Sequence, residues 1–283
     1  MMEERNTRIL QLISLISTGA VEYVRSAFER EAVSVLYYGD SGANQGVFCL
    51  AEGDDCVIAY AAFSKYDELD RLLETIERKI RPLLQVSEER EICFNVYGDN
   101  TEIVRFVRGL GFASDLEGYQ LQYVNDRPVS TGDASPLQEQ GFAPDMLEDF
   151  IDLFEAAYEQ LGLENGWDTD RYRRKPELFL RMLEGYEASG QVHSFWLQDS
   201  LAGAYITDGR YIRDLVVAPA FQNLGYGKTI LHCCVNHIGN RLNGGSIYLR
   251  VAASNEGAKR FYERNQFVSI ARFAEHTYRR QEQ

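Results

Sequence analysis

Apolar and polar positions follow two rhythms along this chain. Near its start Ile9, Leu10, Leu12, Ile13 and Ile16 recur at helical spacing, with Gln11, Ser14 and Ser17 between them. That period predicts an amphipathic helix packed on a domain. Elsewhere short runs of β-branched and aromatic residues predict strands: CVIAYAAF at 56–63, EICFNV at 91–96, YIRDLVVA at 211–218 and SIYLRV at 246–251. The stretch DLVVAPAFQNLGYGKTIL, 214–231, passes from β-branched residues through a proline and two close glycines into helix formers. It reads as a strand, a turn and a helix start.

These runs repeat. Asn100 matches Asn255, Phe106 matches Phe261 and Phe112 matches Phe267, all at an offset of 155 residues (100 to 255). The runs at 56–63 and 91–96 fall over those at 211–218 and 246–251 without a gap. Each half then reads as strands, a central strand, a helix, a further strand, a short helix and a final strand. A helix between the central strand and its successor is what a parallel pair needs. The expected class is α/β, two tandem domains each with a mixed central sheet flanked by helices. The stretch YVNDRPVSTGDASP, 123–136, is rich in turn formers and predicts the connection. The boundary is expected near residue 130, giving domains 1–129 and 130–283.

Composition narrows the partners. A hydrophobic fraction of 45% is enough to bury a real core, so disorder is excluded. A net charge of −14 argues against a nucleic-acid binder, which needs clustered Lys and Arg. Five cysteines form no C-x-x-C pair and are odd in number, so free thiols and a reducing cytoplasm are expected. The first residues set Glu3 and Glu4 against Arg5 and Arg8, unlike a signal peptide, and no apolar run approaches bilayer length. No membrane association is expected. His193, His232, His237 and His276 show no ligand spacing, so no metal is implied.

The turn after Pro219 predicts an anion site, because a helix N-terminus offers unpaired N–H groups and a positive dipole end. Two phosphate motifs fail here. Gly227-Lys228-Thr229 ends like a P-loop, but Gln222 stands where its first glycine belongs. Gly225 and Gly227 begin a G-x-G-x-x-G, but its last position is Ile230. The stretch instead resembles the acetyl-CoA signature of the GNAT-type N-acetyltransferase superfamily, [RQ]-x-x-G-x-[GA] after V-x-P. Gln222, Gly225 and Gly227 occupy its positions, and Pro219 stands where the family ends its central strand. Downstream, NEGAKRFYERNQF at 255–267 resembles the family's second signature through Asn255, Ala258, Phe261, Tyr262 and Phe267, with Gln266 where the family has Gly. The resemblance covers about residues 135 to 280, and the first half more faintly.

The resemblance implies acetyl-CoA as cofactor and acetyl transfer to a primary amine by direct attack on the thioester. Glycines let the turn approach the CoA pyrophosphate, and the N–H groups of Asn223, Leu224, Gly225, Tyr226, Gly227 and Lys228 would face its oxygens. The pantetheine arm would lie along Leu215, Val216 and Val217, and Asn255, Ala258 and Phe261 would complete the cofactor site. Tyr262 would protonate the leaving thiolate, and the Val217 N–H would hold the oxyanion. Asp214 is the candidate base, acting through water; Glu164, Asp168 and Asp170 read more readily as solvated charge. Nine Asp and Glu and no Lys or Arg stand between Asp145 and Asp170, which favours a cationic acceptor, small or peptidic. The rival class is a CoA-binding sensor or scaffold without turnover; the intact Tyr262 favours the enzyme, as a monomer or homodimer. At the same offset Gln222, Asn223, Gly225 and Gly227 fall on Asp67, Glu68, Asp70 and Leu72, and Tyr262 on Val107. The first half is therefore expected to be a degenerate copy without a cofactor site.

Overall fold

The computed structural model describes residues 2–86, 90–124, 135–242 and 245–279. The apolar stripe at the start forms α1 (Met2–Ile13), whose Ile9 and Ile13 are fully buried. Burying one such side chain contributes roughly 1.5–3 kcal/mol. After a turn, α2 (Thr18–Glu29) begins at Ser17, whose hydroxyl accepts the Ala20 N–H at 3.0 Å. That satisfies one of the donors a helix start leaves unpaired. Both helices pack on one face of β1 (Val33–Ser41), β2 (Asn44–Glu52) and β3 (Cys56–Lys65) through Val47, Cys49 and Tyr60. On the other face, α3 (Leu69–Val86) sets Leu72, Ile76 and Ile80 four residues apart onto Phe48, Phe63 and Phe94. The chain continues through β4 (Glu91–Tyr97), α4 (Thr101–Gly109) and β5 (Phe112–Tyr123).

The second half has β6 (Gln138–Gln140), α5 (Leu147–Asn165), α6 (Arg171–Arg174), α7 (Pro176–Glu187), β7 (Val192–Leu197), β8 (Ser200–Asp208) and β9 (Tyr211–Val217). It ends with α8 (Tyr226–Arg241), β10 (Tyr248–Ala252), α9 (Glu256–Arg264) and β11 (Phe267–Tyr278). The repeat is carried into three dimensions. Helices α4 and α9, and strands β5 and β11, begin and end 155 residues apart. Asn100 and Asn255 precede their helices with nearly the same backbone angles, φ/ψ −83/60 and −86/63. The mixed sheets expected from the pattern are present: β3 runs parallel to β4, and β9 runs parallel to β10, with antiparallel neighbours on the outer side.

The chain divides into two compact units, Met1–Gln120 with Ser269–Gln283, and Leu121–Val268. In the first the strand order is β1-β2-β3-β4-β11-β5; in the second it is β10-β9-β8-β7-β6. This differs from a single cut. The expected boundary near 130 lies in 125–134, outside the described residues. Most of β11 belongs to the first unit because it pairs antiparallel with β4, from Phe273↔Tyr97 to Thr277↔Cys93. His276 lies buried there, its Nδ1 3.1 Å from the Phe94 carbonyl oxygen. Among the described residues no helix is long and apolar enough to cross a membrane.

Candidate functional site

The two parallel pairs differ in length. In the first unit β3 and β4 stay paired from Cys56↔Glu91 to Ala61↔Val96. In the second, the pairing of β9 with β10 is confined to Tyr211↔Tyr248 and Ile212↔Leu249 among the described residues. Beyond Ile212 the two strands part. On its other side β9 keeps its ladder with β8 up to Val217↔Gly203, and Ala218 donates to the Ala202 carbonyl at 2.9 Å. Antiparallel ladders alternate, so the N–H groups of Leu215 and Val217 turn away from β8 toward the gap. Their hydrogen-bonding capacity is directed at whatever occupies it.

At the end of β9 the chain makes a helical turn, Pro219–Phe221, and reaches Gln222, whose side-chain amide donates to the Val217 carbonyl at 3.0 Å. Asn223 (φ 62) and Gly225 (φ 90) then take left-handed backbone, and α8 starts at Tyr226. No side chain caps this helix, and the first N–H to close a turn is that of Lys228, onto the Gly225 carbonyl at 3.1 Å. The N–H groups of Tyr226 and Gly227 therefore have no partner within the helix, which is the arrangement that binds an anion. A Cβ on Gly227 would meet Val217 and Phe261 only at ordinary contact, 3.6–3.7 Å, so the packing of the chain itself does not require glycine at this position.

The gap and the turn open into one cavity of about 530 Å³. Leu215, Val217, Gln222, Asn223, Gly225, Gly227, Lys228, Asn255, Gly257, Ala258, Phe261 and Tyr262 line it. Residues from both sequence motifs, 28 or more positions apart along the chain between Gly227 and Asn255, thus face one space. Three expected cofactor residues stand elsewhere. Val216 points into the core with Phe150 and Phe154 of α5, because neighbouring strand residues face opposite sides. Leu224 is exposed, and Tyr226 sets its ring against Phe221. Only their backbones remain candidates. Asn255 also accepts the Ala258 N–H at 3.0 Å, capping α9. Tyr262 is buried, its ring edge-on to Phe261 and Phe267, and burial raises its pKa further above that of a free phenol.

Asp214 is not in the cavity wall. It lies on the α5 side of β9, where the Tyr158 hydroxyl donates to its Oδ1 at 2.8 Å and the Arg213 Nε stands 3.3 Å from its Oδ2. A β-bulge between Ile206 and Thr207 pairing leaves Arg213 as the extra residue and re-aims it beside Asp214. Burial raises the Asp214 pKa, while the Tyr158 hydrogen bond, Arg213 and Arg171 pull it back. Its charge reaches Tyr262, whose pKa it also raises. Neither Tyr158 nor the arginines carried a signal in the sequence: they come from α5, α6 and a bulge, and only packing joins them.

Five carboxylates of the acidic stretch that ends at Asp170 pair with two arginines just beyond it. Arg173 pairs with Glu148, Asp152 and Glu155, and Arg174 with Asp168 and Asp170. Glu164 is exposed and accepts from Gln160. His193 and His237, distant in sequence, meet edge-on with ring centres 4.4 Å apart, and the His193 Nδ1 is 2.8 Å from Glu139. Among the described residues no group of three or more ligating side chains is placed to hold a metal ion. All five cysteines are unpaired.

Residues 143–267 match the model of the acetyltransferase (GNAT) family. That stretch contains the whole cavity wall. The fold of the full chain is similar to a GCN5-related N-acetyltransferase from Sphaerobacter thermophilus, at 15% identity and a TM-score of 0.55 over 95% of this chain and 91% of that one. It is also similar to a GNAT-family acetyltransferase from Colwellia psychrerythraea, at 13% identity and a TM-score of 0.51 over 86% and 84%. A Drosophila protein aligns over 96% of both chains at 11% identity and a TM-score of 0.56. No curated protein matches the chain.

Proposed function

We propose that the chain is an acetyl-CoA-dependent N-acetyltransferase that acts on a primary amine by direct attack on the thioester. The observation that carries this reading is the parting of β9 from β10 where the cavity meets Tyr262. The residues suit the cofactor. Free N–H groups at the start of α8, with Lys228 beside them, match a diphosphate, and the gap-facing N–H groups of Leu215 and Val217 match an amide-bearing arm laid alongside like a strand. Acetyl-CoA supplies the activated acetyl group when bound.

The chain's own groups have separate tasks. The Val217 N–H stabilises negative charge on the thioester oxygen. Asp214 accepts a proton from the incoming ammonium through water, and its raised pKa suits a base working nearer neutrality than a free carboxylate. As the N–C bond forms and the C–S bond breaks, the Tyr262 hydroxyl gives its proton to the sulfur. The first unit takes no cofactor in this reading. Its strands stay paired where the second unit's part, and the buried Asn100 side chain accepts from the Phe63 N–H at 2.9 Å and donates to its carbonyl at 2.7 Å. Those are the backbone groups at the place where Ala218 ends the second unit's strand. Unpaired thiols suit a reducing compartment, and we place the enzyme in the cytoplasm as a monomer or homodimer. The test is release of free thiol from acetyl-CoA with a panel of primary amines. Thiol release above background is expected; calorimetric CoA binding without turnover on any amine would favour a sensor.

A further inference from the structure

The two units differ in which backbone groups their central strands turn toward the gap. In the first, β3 keeps one register against β2 from Glu52↔Val57 to Gly46↔Phe63. Phe63 then shows both its N–H and its carbonyl to the Asn100 side chain, which comes from the far side of the gap. In the second, the bulge at Arg213 moves the register of β9 by one residue, between Thr207↔Ile212 and Ile206↔Asp214. Ala218, which matches Phe63 at the offset of 155, therefore spends its N–H on the Ala202 carbonyl. It is Val217 whose N–H and carbonyl face the gap, and the Gln222 side chain takes that carbonyl at 3.0 Å. Gln222 matches Asp67 of the first unit, where an ionised carboxylate has no hydrogen to give a carbonyl. Both strand ends are thus held by a carboxamide, but Gln222 holds its strand from the turn that follows it, without crossing the gap.

We infer that Gln222 is a positioning residue for acetyl transfer: its side-chain amide holds the Val217 carbonyl so that the Val217 N–H stays aimed at the thioester oxygen. This rests on the transferase reading of the same site. The ladder of β9 with β8 ends at Ala218, and Pro219 has no N–H to extend it, so the Gln222 amide is the tie on the gap side. It also removes a competitor. A carbonyl left open beside the Val217 N–H would set partial negative charge next to the oxygen that becomes negative in the transition state. It would also offer the incoming ammonium a hydrogen bond away from the thioester. Gln222 lines the same cavity as the N–H groups that start α8, so one side chain joins the strand end to the diphosphate turn. With one N–H spent on the strand, its main task is the geometry of Val217 and not a grip on the cofactor.

The experiment measures kcat and KM by thiol release from acetyl-CoA, and the CoA dissociation constant by calorimetry, in wild type, Gln222→Met and Gln222→Arg. Methionine matches glutamine in length and has no N–H, whereas arginine restores a donor that can reach a carbonyl. Gln222 is exposed, so both variants keep the fold. Gln222→Met should lower kcat by about 3-fold to 30-fold, less than losing an oxyanion donor outright. Its CoA affinity should stay within about 3-fold of wild type, since the N–H groups of the turn are untouched. Gln222→Arg should recover most of the lost kcat. Weakened CoA binding with unchanged kcat in Gln222→Met would make Gln222 a cofactor contact and overturn the inference, leaving the transferase reading standing. Unchanged kcat at unchanged affinity, or a loss of kcat that arginine does not recover, overturns it in the same way. A wild type that binds CoA but releases no thiol with any amine overturns both.

Discussion

Tyr262 and Asp214 show how much a single side chain's role depends on what surrounds it. Packed between Phe261 and Phe267, the Tyr262 phenol is held above its ordinary pKa by burial, so it stays protonated at neutral pH and available as a donor. Tyr262→Phe keeps the ring and removes the proton. Turnover should fall by roughly 10-fold to 1,000-fold with little change in CoA affinity; unchanged kcat at saturating substrates would remove Tyr262 from the chemistry. For Asp214 the sign runs the other way. A base must be ionised, and burial raises its pKa, so the acid limb of kcat/KM should lie above the usual carboxylate range. Tyr158→Phe removes a hydrogen bond that favours the ionised form. The acid limb should then move to higher pH while the plateau rate is kept. A limb that stays in place would exclude Asp214 as the base.

Between elements, the decisive geometry is the join of β9 to α8. Gly225 at φ 90 lies where a side chain costs roughly 1–2 kcal/mol, more for a β-branched one. Gly227 has ordinary room for a Cβ. The two glycines should therefore respond differently. Gly225→Val is expected to abolish CoA binding in calorimetry, with cooperative unfolding retained, whereas Gly227→Ala should bind within a few-fold of wild type. Near-native affinity in a folded Gly225→Val protein would put the cofactor elsewhere. The sequence located this join because glycine and proline mark backbone events directly. It could not tell that Val216, between two cavity-facing neighbours, would point into the core, though strand alternation predicted that one of Leu215, Val216 and Val217 must.

Across the whole chain the two halves differ in the space between their parallel strands. In the first unit that space is closed by six residue pairs and by Asn100 clipped to both backbone groups of Phe63. Its counterpart Asn255 instead caps α9 and faces the cavity. Opening the first unit would strand buried polar groups at about 1–3 kcal/mol each. A CoA titration of the intact chain should therefore give a stoichiometry near one. A value near two would show that the first unit opens and would remove the reading of it as a closed copy.

What the sequence by itself determined is everything encoded locally: the helix and strand periods, the glycine turn, the two motifs, and a repeat accurate enough that β5 and β11 share both end points at one offset. These follow from backbone preferences and side-chain spacing, which act over a few residues. Tertiary structure alone decided which neighbour each strand paired with. Swapping β11 onto β4 leaves its own hydrophobic alternation unchanged, so no local pattern could report it. The same holds for the polar cluster at Asp214. Tyr158, Arg171 and Tyr186 lie on three different helices, and their meeting with Arg213 depends on helix packing and one bulged residue in β9, neither of which a linear pattern carries.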